Sequence, residues 1–324
     1  MARVLTGVQS TGIPHLGNLL GAIIPAVDMS KNDKNDSFLF IADLHSLTQI
    51  KDAGQLKKNT LYTAAAWLAC GLDPQKTVFY RQSDVCQTTE LSWYLQCFFP
   101  YQRLTLAHSF KDKSDALENV NAGLFNYPLL MAADILLYDA DMVPVGKDQK
   151  QHMEITRDVA KRFNHLMGKT LIVPKAQILE DIQVIPGTDG QKMSKSKNNI
   201  ISVFEDTKTL QKQVMSIQTD SKGVDEVKDP LNCNVFKIYS LVAQNHQIEN
   251  LKTRYLSGII GYGDAKKLLI QALLSHFETP IKRFHHYMSY PEKIEDLLYQ
   301  GAQKARKAAN KTLLRVRQKL GYYN

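Results

Sequence analysis

Two distant stretches of this chain carry groups suited to holding phosphate. In Lys192-Met193-Ser194-Lys195-Ser196, lysines and hydroxyls alternate within five residues, and Lys197 adds another positive charge. Lysines in such a loop can neutralise charge building on an α-phosphate and on a departing pyrophosphate. The run follows Pro186-Gly187-Thr188-Asp189-Gly190, a turn-rich segment able to hinge. Near the N-terminus, Gly7, Gly12, Gly17 and Gly21 crowd one strand-turn-helix pattern. Glycine admits a ligand close to the backbone, and a helix N-terminus offers free N–H groups and positive potential. Within this turn, His15 and Asn18 can each donate a hydrogen bond. The spacing is not G-x-G-x-x-G, so a dinucleotide fingerprint is not supported. Taken singly, an exposed basic loop and a capped helix explain the two stretches. Their pairing favours a nucleotide site.

A third constellation could hold a side chain. Tyr127, Met131 and Asp134 are spaced i, i+4 and i+7, on one face of a helix. Val143 and Val145 lie two apart, on one face of a strand. Together they could line a mostly apolar pocket with a single carboxylate acceptor. An indole has one N–H donor and no acceptor, which matches it. A phenol also donates, so spacing leaves tryptophan and tyrosine both open. A core-packed helix with Asp134 paired to an arginine fits the spacing equally well.

The elements that must position these groups alternate. Val4–Val8, Phe38–Ala42, Val78–Tyr80 and Met142–Val145 read as strands. Helical patterns occupy about Gly17–Met29, Leu56–Cys70 with Gly71 at C′, Leu91–Phe99 stopped by Pro100, Pro128–Leu137 with proline in its first turn, and Met153–Phe163. This order predicts an α/β fold: a Rossmann-like parallel sheet with helices on both faces. Past Val203 the strand pattern stops and the chain becomes helical and Lys-rich. A boundary near 200 would separate a catalytic domain, 1–200, from a C-terminal α-helical domain, 201–324. The final pattern carries an apolar stripe through Ala305, Ala309, Thr312, Val316 and Leu320, with Lys304, Arg306, Lys307, Lys311, Arg315, Arg317 and Lys319 around it. A solvated face explains those charges slightly better than a nucleic-acid contact.

The 324 residues suffice for a large core, more readily in two domains than in one. The formal net charge of +8 suits a nucleic-acid partner without requiring one. Apolar runs fall short of the ~20 residues that span a bilayer. The N-terminus reads as a strand rather than a signal, so a cytoplasmic location is expected. Cys70, Cys86, Cys97 and Cys233 lack C-x-x-C spacing, which points to buried reduced thiols rather than a metal or disulfide framework.

Longer segments around these motifs resemble the bacterial tryptophanyl-tRNA synthetases, within the class I aminoacyl-tRNA synthetases, over nearly the whole chain. The segments are Thr11–Ala22, Ala42–Thr48, Met131–Tyr138, Val143–His152, the Lys192–Ser196 loop, and Gly261-Tyr262-Gly263 with Lys266 and Lys267. Met131–Tyr138 and Val143–His152 separate this family from the tyrosyl enzymes. The resemblance implies activation of L-tryptophan by Mg-ATP, transfer to tRNA(Trp), and a homodimer bridged by one tRNA. A protein-bound structural metal is not implied. By residue, it implies that Asp134 binds the indole nitrogen and that Leu5, Gly7, Tyr127, Met131, Val143 and Val145 line the pocket. Gln149 and Tyr127 would lie near the ammonium group. Gln9, Ser10, Thr11, His15, Gly17, Asn18, Gly146, Lys147, Asp148, Ile185 and Lys192, Met193, Ser194, Lys195 and Ser196 would surround ATP. Lys113, in Phe110–Ser114, would reach the phosphates beside Lys192 and Lys195. Three positions depart from common patterns. Asn18 replaces the histidine general in class I, as is common in this family. Leu5 stands where some relatives have phenylalanine. Lys147 stands where an acid is usual, which shifts the weight there to Gly146 and Asp148. A non-catalytic binder of tryptophan or tRNA would have no need of the loop lysines.

Overall fold

The computed structural model describes residues 1–106, 120–146, 149–178 and 185–322. Lys113, Lys147 and Asp148 lie outside the described residues. Five parallel strands form one sheet in the order β3-β2-β1-β4-β5: β1 Ala2–Val8, β2 Asn35–Ile41, β3 Val78–Arg81, β4 Met142–Val145 and β5 Lys175–Ile178. The first four sit where the apolar runs place them. The fifth alternates polar and apolar residues as a short edge strand on β4, from Met142 opposite Lys175 to Val145 opposite Ile178, so its sequence carries no continuous apolar run.

Alternation along the strands splits the core in two. Leu39, Ile41 and Phe79 face one apolar cluster. Leu5, Phe38, Phe40, Tyr80, Val143 and Val145 face the other. The first is covered by α1 (Leu16–Asn18), a wide i→i+5 turn (Leu19–Ile23), α2 (Ile24–Ser30) and, after the short α3 (Asp43–Ser46), by α4 (Ala53–Ala69). The second is covered by α5 (Gln87–Phe98), α6 (Tyr101–Thr105), α7 (Ala122–Leu136) and α8 (Lys150–Met167). Asp52 caps α4 through the Gln55 N–H at 2.6 Å, and Gly71 follows its C-cap with φ of 96°.

One helix start differs from expectation. Pro128 is not in the first turn of α7 but inside it. Asn121 caps the helix earlier, accepting from the Leu124 N–H at 3.1 Å while donating to the Thr48 carbonyl at 2.9 Å. That cap outweighs the missing proline N–H and keeps Tyr127 on the same helix as Asp134.

The chain then continues through α9 (Thr207–Met215), α10 (Asn234–Tyr239), α11 (Asn245–Leu256), α12 (Tyr262–His276), α13 (Glu278–Ser289) and α14 (Pro291–Lys319). The first cluster draws on both sides of position 200, from Leu16 to Phe79 and from Ile185 to Leu298. The stripe on α14 is buried at Ala305, Ala309, Thr312 and Val316. Its arginines are engaged: Arg306 Nε donates to the Asp84 carbonyl at 2.6 Å, Arg315 pairs with Asp139 at 2.6 Å and Arg317 with Glu90 at 2.5 Å. Lys304, Lys307, Lys311 and Lys319 are exposed. All four cysteines are free, but only Cys233 is buried. Cys86 and Cys97 are exposed at the start and on the outer side of α5, which corrects the expectation of buried thiols.

Candidate active site

Between β1 and β4 the strand order reverses, and in open parallel sheets ligands bind beyond the carboxyl ends of the strands at such a point. The N-terminal turn leaves β1 and Gly146 leaves β4, so the two start from adjacent strands. Gly12 has φ of 121°, a conformation suited to glycine, and Lys195 Nζ lies 2.9 Å from where a Cβ would be placed. His15 precedes α1 and is buried, and its backbone N–H donates to Asn18 Oδ1 at 3.2 Å. His15 Nδ1 is buried with no hydrogen-bond partner among the described residues. Burial, with the nearby Lys195 charge, pushes the His15 pKa down to about 4, so the ring is neutral at physiological pH. Ser10 is buried against the Ser46 hydroxyl at 3.1 Å, whereas Gln9 is exposed and Thr11 half-buried.

The lysine loop is folded onto this turn. Gly17 N–H donates to Met193 Sδ at 3.3 Å, and Leu16 N–H donates to the Ile201 carbonyl at 2.7 Å. Met193 is itself buried beside Ile185, whose carbonyl accepts from the Met193 N–H at 3.0 Å. Pro186 and Lys192 form an antiparallel bridge that closes a hairpin. Asn199 knots it, accepting from the Ser194 N–H at 2.7 Å and donating to Asp189 Oδ1 at 2.7 Å and to the Lys192 carbonyl at 3.2 Å. Ser194 and Ser196 hydroxyls lie 2.8 Å apart. Lys192 and Ser196 are exposed, while Lys195 is half-buried. Burial lowers the Lys195 pKa to about 8, against the opposing pull of Glu205. An ammonium held beside glycine backbone and a neutral imidazole is costly until an anion arrives.

The side chains expected to line an apolar pocket gather in the second core cluster. Leu5, Val143 and Val145 belong to one cluster, with Met131 packed against it. A Cβ at Gly7 would overlap the Phe40 ring on the neighbouring strand, so glycine is required there for packing. Asp134 is 2% exposed. Gln82 Nε2 donates to its oxygens at 2.8 and 3.0 Å, and His45 Nε2 lies 2.9 Å from Oδ2. Burial pushes the Asp134 pKa up, while His45 and Gln82 pull it back. A carboxylate has about four acceptor sites, so these donors leave room for one more. No arginine among the described residues is its partner. Tyr127 OH meets His152 Nε2 at 2.8 Å, beside the His45 ring at 6.2 Å. Gln149 is half-buried at the start of α8, its N–H donating to the Gly146 carbonyl at 3.0 Å.

A family model described as tRNA synthetases class I (W and Y) matches residues 1–278. The Tryptophan--tRNA ligase of Campylobacter jejuni is 44% identical over 319 residues, covering 98% of this chain and 99% of that protein. That of Fusobacterium nucleatum is 45% identical over 322 residues, covering 99% and 98%. The crystal structure of tryptophanyl-tRNA synthetase from Campylobacter jejuni complexed with ADP and tryptophan matches with a TM-score of 0.93 at 44% identity, covering 98% of this chain and 99% of that one. The chain belongs to the class I tryptophanyl-tRNA synthetases.

Three buried side chains beside these candidates carry no signal of their own in the sequence motifs. They are Asn199, His45 and Gln82, none of them a candidate site residue from the sequence. His45 lies within the Ala42–Thr48 segment, and Gln82 lies two residues past the expected Val78–Tyr80 strand, at the carboxyl edge. That location was the available signal. Asn199 lies in an irregular loop and gives none.

Proposed function

We propose that this chain is a tryptophan--tRNA ligase. In the first step the carboxylate of L-tryptophan attacks the α-phosphorus of Mg-ATP in line, forming tryptophanyl-adenylate and expelling pyrophosphate. The substrate supplies the nucleophile, so the protein contributes position and charge. Lys195 and Lys192 would hold the phosphates, with neutral His15 donating from a ring nitrogen and Asn18 from its amide. Lys113 is assigned the same task from the resemblance alone. Mg2+ would arrive with ATP as part of the substrate. Gln9, Ser10, Thr11, Gly17, Gly146, Lys147, Asp148, Ile185, Met193, Ser194 and Ser196 would line the remainder of the nucleotide site. Asp134 would accept the indole N–H, with Leu5, Gly7, Met131, Val143 and Val145 around the ring and Tyr127 and Gln149 toward the ammonium group.

In the second step a hydroxyl of the terminal ribose of tRNA(Trp) attacks the adenylate carbonyl and releases AMP. The 201–324 region is assigned to tRNA, supported by its exposed lysines. A homodimer would cover Trp93 and Tyr101, which are 64% and 66% exposed on α5 and α6. A cytoplasmic location agrees with the reaction, and no helix among the described residues is long and apolar enough to cross a membrane.

The observation that carries this reading is the pairing across β1: Lys195 against the Gly12 turn on one side, and a buried Asp134 acceptor on the other. Amino-acid-dependent ATP–pyrophosphate exchange tests it, with tryptophan, tyrosine and phenylalanine supplied separately. Exchange with tryptophan alone is expected. Exchange with tyrosine would retain the mechanism and overturn the specificity. Absence of exchange in folded protein with Mg2+ would leave a binding protein.

A further inference from the structure

Asp134 is the acceptor to which the indole has been assigned, and what holds it comes from elsewhere in the chain. Gln82 is fully buried in the turn that follows β3. Its Oε1 accepts from the Leu44 backbone N–H at 3.1 Å. The amide is therefore anchored at its oxygen, and its nitrogen must point at Asp134, where it lies 2.8 and 3.0 Å from the two oxygens. A flipped amide would set an oxygen against the carboxylate and a donor against the Leu44 N–H, losing both bonds. The Leu44 backbone is braced in turn, because the adjacent Ser83 N–H and hydroxyl both donate to Asp43. His45 approaches Asp134 from the same short helix, α3, at 2.9 Å.

We propose that Gln82 is a specificity-positioning residue. Locked by Leu44, it holds Asp134 as an oriented acceptor, so that the pocket takes an aromatic ring carrying a hydrogen-bond donor and rejects an isostere without one. The inference rests on the tryptophan reading given above. Gln82 has no role there as a contact to substrate; it acts through Asp134. Without its donor, the carboxylate loses the bond that spans both oxygens and is free to turn about its side-chain torsion toward His45. A buried acceptor whose direction is no longer fixed distinguishes a donor from a non-donor poorly.

The test uses the full chain in tryptophan-dependent ATP–pyrophosphate exchange. A tryptophan analogue with a benzothiophene in place of the indole serves as competitive inhibitor, since its sulfur offers no N–H. Gln82→Met keeps the length and removes the donor. Gln82→Glu keeps the shape and sets an acceptor against an acceptor. In Gln82→Met, KM for tryptophan is expected to rise about tenfold, the scale of a hydrogen bond to a charged group. KM for ATP should be unchanged, and the ratio of the analogue's inhibition constant to the tryptophan KM should fall by a similar factor. Gln82→Glu should lose more. A merely structural role would move both substrates' constants together and leave that ratio alone. Should Gln82→Met fail to fold, Gln82→Glu carries the test through the same ratio. A wild-type ratio in the folded variants overturns the role of Gln82. Wild-type protein that shows no tryptophan-dependent exchange overturns the underlying reading instead, whatever the variants do.

Discussion

Lys195 and His15 are both drawn out of water at the same turn, and the Lys195 charge adds to the cost of charging His15. For Lys195 the consequence is kinetic. Its folded pKa is lowered to about 8, so the ammonium form that phosphate requires is present below that pH and lost above it. The pH dependence of kcat/KM reports the free enzyme. With ATP as the varied substrate, kcat/KM for activation should therefore fall as pH rises through about 8. In Lys195→Arg, whose guanidinium stays charged, that alkaline limb should disappear even if the overall rate is lower. A wild-type profile flat to pH 10 would remove Lys195 from the phosphate site. At this scale the sequence showed which types were present but not how they are held. Asp134 was visible from helical spacing. Its partners His45 and Gln82 lie 89 and 52 residues away along the chain. No local periodicity links them, because the sheet brings them together only after folding.

The hairpin from Ile185 to Asn199 is the element on which the proposed phosphate contacts depend. It has almost no regular structure of its own. The Pro186–Lys192 bridge, a single helical turn at Lys195–Lys197 and the Asn199 side chain define it. Asn199 is 2% exposed, and Gly187 leaves the space its amide fills, since a Cβ there would overlap Asn199. Asn199→Ala would take away the acceptor of the Ser194 N–H. A buried polar group left unpaired costs about 1–3 kcal/mol. Because the hairpin is small, most of that loss should appear as disorder in the loop. Single-turnover adenylate formation should slow by roughly tenfold or more, while tryptophan binding measured without ATP stays near wild type. Equal losses in both measurements would place Asn199 in the general fold instead. The turn-rich Pro186–Gly190 sequence made a tight turn legible, and Lys-Met-Ser-Lys-Ser carries the phosphate role proposed for it. The knot was not legible, because an asparagine in a loop has the same appearance whether it faces water or three backbone and side-chain partners. A similar limit applied to Pro128. Proline at a helix start is the favoured reading until a cap upstream, here Asn121, moves the start.

Over the whole molecule, α14 does what neither half could do alone. Ile294 and Leu298, early in the helix, belong to the first apolar cluster, and Ala302, Ala305, Ala309, Leu313 and Val316 belong to the second. The helix changes sides at Gly301, where it passes over β3, an outer strand of the sheet. It thereby covers an edge that would otherwise offer unpaired backbone groups. The sequence displayed the stripe and its basic surroundings, but not the surface it meets, since β3 lies more than two hundred residues earlier. This crossing leaves no room for a side chain: a Cβ on Gly301 would overlap the Phe79 carbonyl. The obstacle is backbone on both elements, so no rotamer can relieve it. Gly301→Ala should therefore cost about 3 kcal/mol, the upper part of the usual range for overpacking, and lower the Tm by roughly 4 °C. Gly263→Ala is the matched control. It lies in the first turn of α12 with nothing within 4 Å of its Cβ position, so helix propensity alone should leave stability unchanged or slightly raised. Thermal unfolding followed by circular dichroism compares the two. Because the first cluster joins residues before and after position 200, and α14 ties it to the second, wild-type protein and both variants should unfold in one transition. Equal stability of the two glycine variants would mean that α14 does not bear on β3 at Gly301. A separate early transition in Gly301→Ala would mean that the helical part comes away from the sheet before the sheet unfolds.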